Sequence, residues 1–241
     1  MPYSYYYGFD WTYIVLVLPC LLLSLWASSN VNSTFRKYSN QYSVRRLTGA
    51  EAAQRVLAAN GVRGVRIERV SGNLTDHFDP KTNVIRLSDS VYSSTSTAAI
   101  GVACHEAGHA VQYAQDYAPI KLRAAVIPIT NIGSKLAIPL ILIGVLLSAL
   151  GTISYTFIYL GIAAFSLSLV FQLITLPVEF NASRRAMEAI ESSNLLTAEE
   201  QRGARKTLTA AAMTYVAATA VSLAQLLRLI LIFGGRSRRR D

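Results

Sequence analysis

The residues with the clearest chemical potential form the run His105-Glu106-Ala107-Gly108-His109, a His-Glu-x-x-His pattern. The chain has only 3 histidines, and two of them lie in this motif. On a helix with about 3.6 residues per turn, His105 and His109 lie on one face and can offer two imidazoles to one metal ion. Glu106 is rotated to the side of this pair, where it can reach a metal-bound water. The pattern predicts a zinc ion, with Glu106 taking a proton from the attacking water and passing it to a leaving amine.

The setting of the motif distinguishes this prediction from an accident of composition. Residues 100–110 are mostly small and apolar, so two histidines and a glutamate would be costly to bury there without partners. The alternative is that they are ordinary core or surface residues, as in proteins that carry the pentapeptide without binding a metal. The burial cost favours the metal site.

A catalytic zinc ion normally has three protein ligands, so one must come from outside the motif. Glu179 is one candidate, since it follows an apolar segment directly; its alternative is a surface ion pair with Arg184 or Arg185. His77, the remaining histidine, lies among turn residues and could instead stabilise an oxyanion or form a local hydrogen bond. We favour Glu179, because a carboxylate beside an apolar span is costly and usually has a function.

The composition indicates a membrane protein. The chain is 52% hydrophobic and only 15% charged, whereas charged residues make up roughly a quarter of soluble domains. The net charge of +9 comes from basic residues beside apolar segments, which argues against a nucleic-acid partner. Cys20 lies in an apolar run and Cys104 beside the motif, so both are predicted to be free thiols.

Four apolar segments organise the chain, at residues 11–27, 136–150, 155–176 and 207–233. The first has tryptophans at its two ends and no charge, and the preceding residues contain Asp10 but no Lys or Arg. These features favour a retained membrane helix over a secretory signal peptide. The second and third segments are separated by residues 151–154 only, which predicts an antiparallel helical hairpin.

Basic residues predict the orientation of these segments. They follow the first and third segments and precede the second: Arg36, Lys37, Arg45, Arg46, Lys121, Arg123, Lys135, Arg184 and Arg185. The positive-inside rule places these regions in the cytoplasm and the amino terminus outside. The basic tail, RSRRRD, disagrees. Either the fourth segment, which contains Arg228, is not a simple span, or the rule fails there.

The region before the second segment is long enough for an aqueous α+β domain, at about residues 36–121. Residues 48–51 have capping-box spacing ahead of a helix that ends near residue 60. Residues 65–70 and 84–87 are predicted strands separated by turn residues, and residues 97–113 form the motif helix. We predict that the second strand, residues 84–87, binds an extended substrate through an exposed edge.

Five blocks of sequence together resemble the YugP-type family of membrane-embedded neutral zinc metallopeptidases. In order they read GNLTDHFDP, VIRLSDSVY, GVACHEAGHAVQ, LPVEFNASRRA and MTYVAA. The resemblance implies a bacterial integral membrane protein with a gluzincin-like site, in which His105, His109 and Glu179 bind zinc and Glu106 is catalytic. Thermolysin-like enzymes carry an aspartate four residues after the ligand glutamate, but this chain has Ser183 there. A carboxylate partner for the histidine would then come from elsewhere, such as Asp76, or be replaced by a hydroxyl or carbonyl.

These observations predict an α-helical integral membrane protein with a small α+β gluzincin-like zinc metallopeptidase domain. The predicted parts are a transmembrane helix (1–35), the peptidase domain (36–123), a transmembrane hairpin (124–178), a loop or helix with the third ligand (179–206) and a membrane helix with a basic tail (207–241). The predicted function is hydrolysis of membrane or membrane-proximal proteins at the cytoplasmic side of the bacterial plasma membrane. A non-catalytic zinc-binding scaffold is the alternative, and no oligomeric state is predicted.

Overall fold

The computed structural model describes residues 10–234, which form six α-helices and three β-strands. The elements are α1 (Leu18–Ser39), α2 (Gly49–Ala59), β1 (Arg66–Val70), β2 (His77–Asp79), β3 (Val84–Ser88), α3 (Thr97–Ala114), α4 (Ala118–Leu146), α5 (Thr152–Ser192) and α6 (Ala198–Gly234). A π-helical turn, Tyr13–Val17, leads into α1, and a short 3-10 turn, Ser148–Leu150, follows α4.

The chain divides into two compact units. The first, here called the helical unit, contains the described residues up to Trp26, Leu122–Thr175 and the described residues from Tyr215 onward. The second, here called the motif unit, contains Ala27–Lys121 and Leu176–Thr214. The His-Glu-x-x-His motif and Glu179 therefore belong to the same unit, although a long apolar hairpin separates them in the sequence.

The motif unit contains a three-stranded sheet with the order β1-β3-β2. β1 runs parallel to β3 and β2 runs antiparallel to it, with Phe78 opposite Ile85. The prediction that residues 84–87 bind a substrate through an exposed edge is wrong, because β3 is hydrogen-bonded on both sides. The edge strand β2 lies in the segment that the sequence indicated as turns; three residues are too few to show a periodic pattern.

The two predicted helices of the motif unit are confirmed, and so is the capping box that begins the first of them. The capping box of α2 is complete, since the Thr48 hydroxyl accepts from the Glu51 amide and the Glu51 carboxylate accepts from the Thr48 amide at 2.8 Å. Ser96 caps α3 by accepting from the Ala99 amide. Buried side chains of α2 and α3 join the interior of the sheet, where Ile85 is fully buried, in one apolar core.

Two glycines let neighbouring helices approach α3 closely. A Cβ atom on Gly108 would lie 2.8 Å from the carbonyl oxygen of Ala182 on α5. A Cβ atom on Gly101 would lie 3.2 Å from the Cα and Cβ atoms of Ala204 on α6. Small residues therefore set the distance between α3 and both α5 and α6.

Within the described residues, four helices are long and apolar enough to cross a membrane: Tyr13–Ser39, Ala118–Leu146, Thr152–Ser192 and Ala198–Gly234. The protein is thus a helical membrane protein. All four helices extend beyond the predicted apolar segments, because a helix continues for as long as its backbone hydrogen bonds are made. In particular, the region 179–206, predicted as a loop or helix, is helical except for residues 193–197. Glu179 therefore sits inside α5.

The helical unit contains the predicted hairpin and an ion pair between Asp10 and Arg228. α4 and α5 approach closely at glycines, and the Ser154 hydroxyl of α5 donates to the Gly144 carbonyl of α4 at 2.7 Å. Arg228 of α6 donates to the Asp10 carboxylate, with a 2.9 Å bond from its Nε atom, and lies over the Tyr13 ring. The charge of Arg228 inside the fourth apolar segment is thus neutralised by a residue that precedes the first.

Replacing Gly101 or Gly108 by alanine tests the close approach of α5 and α6 to α3. Alanine is intrinsically the better helix former, by up to about 1 kcal/mol, so without these contacts both substitutions would stabilise α3. We expect Gly108→Ala to destabilise the fold by about 1–3 kcal/mol, because a backbone oxygen must move, and Gly101→Ala to cost less. Denaturant unfolding in detergent measures both, and a more stable Gly108→Ala variant would contradict the packing.

The ion pair in the helical unit predicts non-additive effects of substitution. Asp10→Asn or Arg228→Gln alone leaves one charge without its partner in an apolar setting, whereas the double variant removes both charges. We expect each single variant to lower the midpoint of thermal unfolding in detergent more than the double variant does. A double variant that loses the sum of the two single effects would show that the pair is energetically unimportant.

Candidate metal centre

Helices α3 and α5 bring together the two motif histidines and Glu179. The Oε2 atom of Glu179 lies 3.3 Å from Nε2 of His105 and 3.5 Å from Nε2 of His109. The imidazole rings are nearly perpendicular, with centroids 4.7 Å apart. Among the described residues, these three form a group whose ligand atoms all lie within 4.8 Å of one another. Glu179, which the sequence analysis favoured as third ligand, therefore lies beside both motif histidines.

The donor atoms fit a zinc ion in kind and in spacing. Two imidazole nitrogens and a carboxylate oxygen are a common set for zinc, and tetrahedral donors about 2.1 Å from the metal lie about 3.4 Å apart. The two distances of 3.3 and 3.5 Å from Glu179 agree with that spacing. The Nδ1 atoms have other partners, Ser183 Oγ at 3.1 Å from His105 and Gln112 Oε1 at 3.0 Å from His109. The Nε2 atoms are thus the ones turned towards a common point.

Glu106 lies beside this group and is itself buried. Burial raises the pKa of Glu106 to about 7; the charges of Glu179 and Asp76 act in the same direction, whereas His105 and a hydrogen bond from the Phe78 amide oppose it. A carboxyl group with such a pKa can accept and return a proton near neutral pH. Its position and its proton affinity both suit a general base.

Asp76 holds the edge strand β2 in place rather than pairing with a histidine. Its carboxylate accepts from the backbone amide of Ser88 at 2.7 Å and from the Ser88 hydroxyl at 2.9 Å. Burial raises the pKa of Asp76, and the two hydrogen bonds from Ser88 oppose this effect. Asp76 thereby links the residue before β2 to the end of β3. The partner of His105 is the hydroxyl of Ser183, one of the replacements that the sequence left open.

His77 lies apart from the ligand group. It is exposed at the start of β2, and its Nδ1 atom lies 2.9 Å from the carbonyl oxygen of Thr75. Among the described residues, it is not a member of the cluster that could hold a metal. The local hydrogen bond matches the alternative given for His77 above, and a role at the substrate stays a prediction.

The arginines after Glu179 have partners elsewhere. Arg184 lies 3.9 Å from Glu188 on the exposed side of α5, and Arg185 donates to Asn181 and to Gln115. Both arginines that were the alternative partners of Glu179 therefore interact with other residues.

Two buried amides near the site, Gln112 and Asn181, were not singled out from the sequence. Gln112 follows His109 by three residues and so lies on the same face of α3, and Asn181 follows Glu179 by two residues. A polar residue on the metal-facing side of an apolar helix is the signal that could have identified Gln112. Asn181 carries no comparable signal, because its burial depends on the packing of α5.

Fold and site together define a helical membrane protein with a candidate His-His-Glu metal centre. A family model described as "Putative neutral zinc metallopeptidase" matches residues 13–234, and the chain belongs to this family, as the resemblance implied. The "Putative membrane protease YugP" of Bacillus subtilis (strain 168) is 48% identical over 221 residues, which is 92% of this chain and 96% of the relative. No solved structure matches. The family and the relative are both named as peptidases.

The ligand group makes a direct prediction about metal binding. We expect purified wild-type protein to bind one zinc ion per chain, and Glu179→Ala to weaken binding by more than the roughly 10–100-fold that loss of an outer partner causes. Elemental analysis and competition with a chelator measure this. Glu188→Ala, on the exposed side of α5, is the matched control and should bind like wild type.

The same experiment separates the two candidates for the third ligand. His77→Gln should keep the metal, because His77 lies outside the group. Loss of zinc in His77→Gln with retention in Glu179→Ala would reverse the assignment.

Proposed function

We propose that this protein is a membrane-embedded zinc-dependent metalloendopeptidase with a gluzincin-like site, in which His105, His109 and Glu179 hold the zinc ion. The observation that carries the proposal is the convergence of two Nε2 atoms on one carboxylate oxygen at the spacing of zinc ligands, with Glu106 alongside. The family and the relative, both named as peptidases, support it. The zinc ion would polarise the scissile carbonyl and lower the pKa of a water molecule.

Glu106 performs the proton transfers in this proposal. Its carboxylate accepts a proton from the attacking water, whose oxygen forms the new bond to the carbonyl carbon. The protonated carboxyl group then donates to the leaving nitrogen as the peptide C–N bond breaks, which returns Glu106 to its starting state. Burial, which raises the pKa of Glu106, favours uptake of the proton from water.

The edge strand β2 provides a binding surface for an extended substrate. β2 pairs with β3 on one side only, and the backbone amide of Phe78 reaches Glu106. A peptide that adds to the sheet beside β2 would therefore run past the general base. This assigns to β2 the role that the sequence analysis gave to residues 84–87.

The proposed substrates are membrane or membrane-proximal proteins, cleaved at the cytoplasmic side of the bacterial plasma membrane. Four candidate spans in the described residues, and a relative named as a membrane protease, support the location. The positive-inside rule supports the side, because basic residues follow α1 at Arg45 and Arg46 and lie on α5 at Arg184 and Arg185.

Glu106→Gln tests whether the centre is catalytic. Glutamine keeps the size of the side chain but cannot accept the proton, so we expect zinc to stay bound while proteolysis falls by roughly 100-fold or more. The measurement is cleavage of casein and of a membrane-protein substrate by protein in detergent, together with zinc content. Glu188→Gln is the control that changes the same functional group on the surface.

The possible outcomes separate the peptidase from the alternative of a zinc-binding scaffold. Wild-type protein that binds zinc and cleaves, beside a Glu106→Gln variant that binds but does not cleave, supports the peptidase. Zinc binding with no difference in cleavage between the two proteins would favour the scaffold. Wild-type protein that binds no zinc would reject both.

A further inference from the structure

Gln112 is a fully buried amide that connects α3 to α5. Its Oε1 atom lies 3.0 Å from Nδ1 of His109. Its Nε2 atom donates to the Val178 carbonyl and to the Asn181 side-chain oxygen, each at 2.9 Å. A polar side chain in such a position is costly unless its hydrogen bonds are made, and Gln112 makes three.

Two groups on α5, the Arg185 guanidinium and the Val178 carbonyl, fix the direction of these hydrogen bonds. A guanidinium group can only donate, so the Asn181 atom that lies 2.7 Å from Nε of Arg185 must be the oxygen. That oxygen also faces Gln112, which must therefore present its NH₂ group to Asn181. The Val178 carbonyl can only accept, so it takes the second N–H of the same group.

The orientation of Gln112 then determines the proton on His109. With both N–H bonds used, Gln112 has only its carbonyl oxygen to offer to His109, and a carbonyl oxygen can only accept. Nδ1 of His109 must therefore carry a hydrogen, and in the neutral ring Nε2 has the free lone pair. That Nε2 atom is the one facing Glu179, at 3.5 Å.

We propose that Arg185, Asn181 and Gln112 form a hydrogen-bonded relay that fixes the tautomer and ring orientation of His109. They are positioning residues, since none of them belongs to the group that could hold the metal. The proposal rests on the proposed function in one respect: it is the zinc ion that uses the lone pair on Nε2.

The two histidines differ in how firmly their tautomers are set. The partner of His105 is the Ser183 hydroxyl, which can donate or accept, so that bond alone does not select a tautomer. The partner of His109, the Gln112 carbonyl oxygen, can only accept, because both N–H bonds of Gln112 are used by α5. His105 therefore serves as an internal comparison for His109.

The outer end of the relay is anchored where α3 ends. Arg185 donates from Nη1 to the Gln115 side chain at 2.5 Å, and its guanidinium lies over the Tyr117 ring at 5.8 Å. Both residues belong to the connection between α3 and α4. The neighbouring Arg184 points elsewhere, to Glu188, and provides a matched control.

The first test reads the tautomer directly in metal-free protein. Labelling histidine with ¹⁵N gives signals from only 3 residues, and His77→Gln identifies one of them. At a pH where the imidazoles are neutral, we expect His109 to show the Nδ1–H form in wild type and in Arg184→Ala. In Gln112→Leu we expect a mixture with the Nε2–H form. Wild-type protein with His109 in the Nε2–H form would overturn the proposal.

The second test measures zinc affinity by chelator competition across a series. We expect Gln112→Leu and Asn181→Leu to bind zinc roughly 10–100-fold more weakly, as loss of an outer partner does. Asn181→Asp keeps an acceptor towards both Gln112 and Arg185 and should stay within a few fold of wild type. Arg185→Ala should weaken binding, whereas Arg184→Ala should not.

The outcomes distinguish this proposal from the proposed function. If wild type binds zinc and cleaves but Gln112→Leu and Arg185→Ala bind as tightly as wild type, the relay is wrong and the peptidase stands. If wild type binds no zinc, the peptidase fails, and the tautomer in metal-free protein still decides whether the relay exists. Should Gln112→Leu fail to fold, the relay is judged on Asn181→Leu and on Arg185→Ala at its accessible end, where zinc affinities equal to that of wild type in both would reject it.

Discussion

The close approach of α3 and α5 is the constraint on which the candidate metal centre depends. Gly108 allows the backbone of α5 at Ala182 to lie against α3, and Glu179 stands almost one helical turn before that point. A side chain at position 108 would press on the Ala182 carbonyl oxygen and so displace α5, the helix that carries Glu179. The smallest residue of the motif thus allows the close packing that brings Glu179 to the two histidines.

Burial of polar groups explains why so many residues around the centre are polar. The histidines and Glu179 lie among apolar side chains, where each unsatisfied polar atom is costly. Ser183 and Gln112 satisfy the outward-facing nitrogens of the two imidazoles, and Gln112 is satisfied in turn by α5. The same burial raises the pKa of Glu106 towards neutrality. A single physical effect, removal from water, therefore shapes both the hydrogen bonding and the acid–base chemistry.

In the helical unit, too, a polar group in an apolar setting has a partner. Arg228 lies in an apolar helix, and its charge is balanced by Asp10 and the face of the Tyr13 ring. Arg228 and Asp10 are not among the three residues of the candidate metal centre. The pair connects the beginning of the first membrane helix to the end of the last, so it ties together parts of the chain that are more than 200 residues apart.

The sequence by itself determined the features that depend on neighbours along the chain. The helical spacing of His105 and His109, the capping box of α2, the four apolar segments and the family were all accessible from local patterns. The bounds of the membrane helices were less accessible, because a helix continues for as long as its backbone hydrogen bonds are made, whatever the polarity of its side chains. This is why Glu179 proved to be inside α5.

Only the tertiary structure decided what depends on contacts between distant residues. It made β3 the central strand and β2 the edge, because strand pairing joins segments that are far apart in sequence. It paired Asp76 with Ser88 and His105 with Ser183 through hydrogen bonds. It also oriented Gln112 towards His109 through the hydrogen bonds that Gln112 makes with α5. Hydrogen-bond partners are chosen by position in space, and no local pattern in the sequence encodes that position.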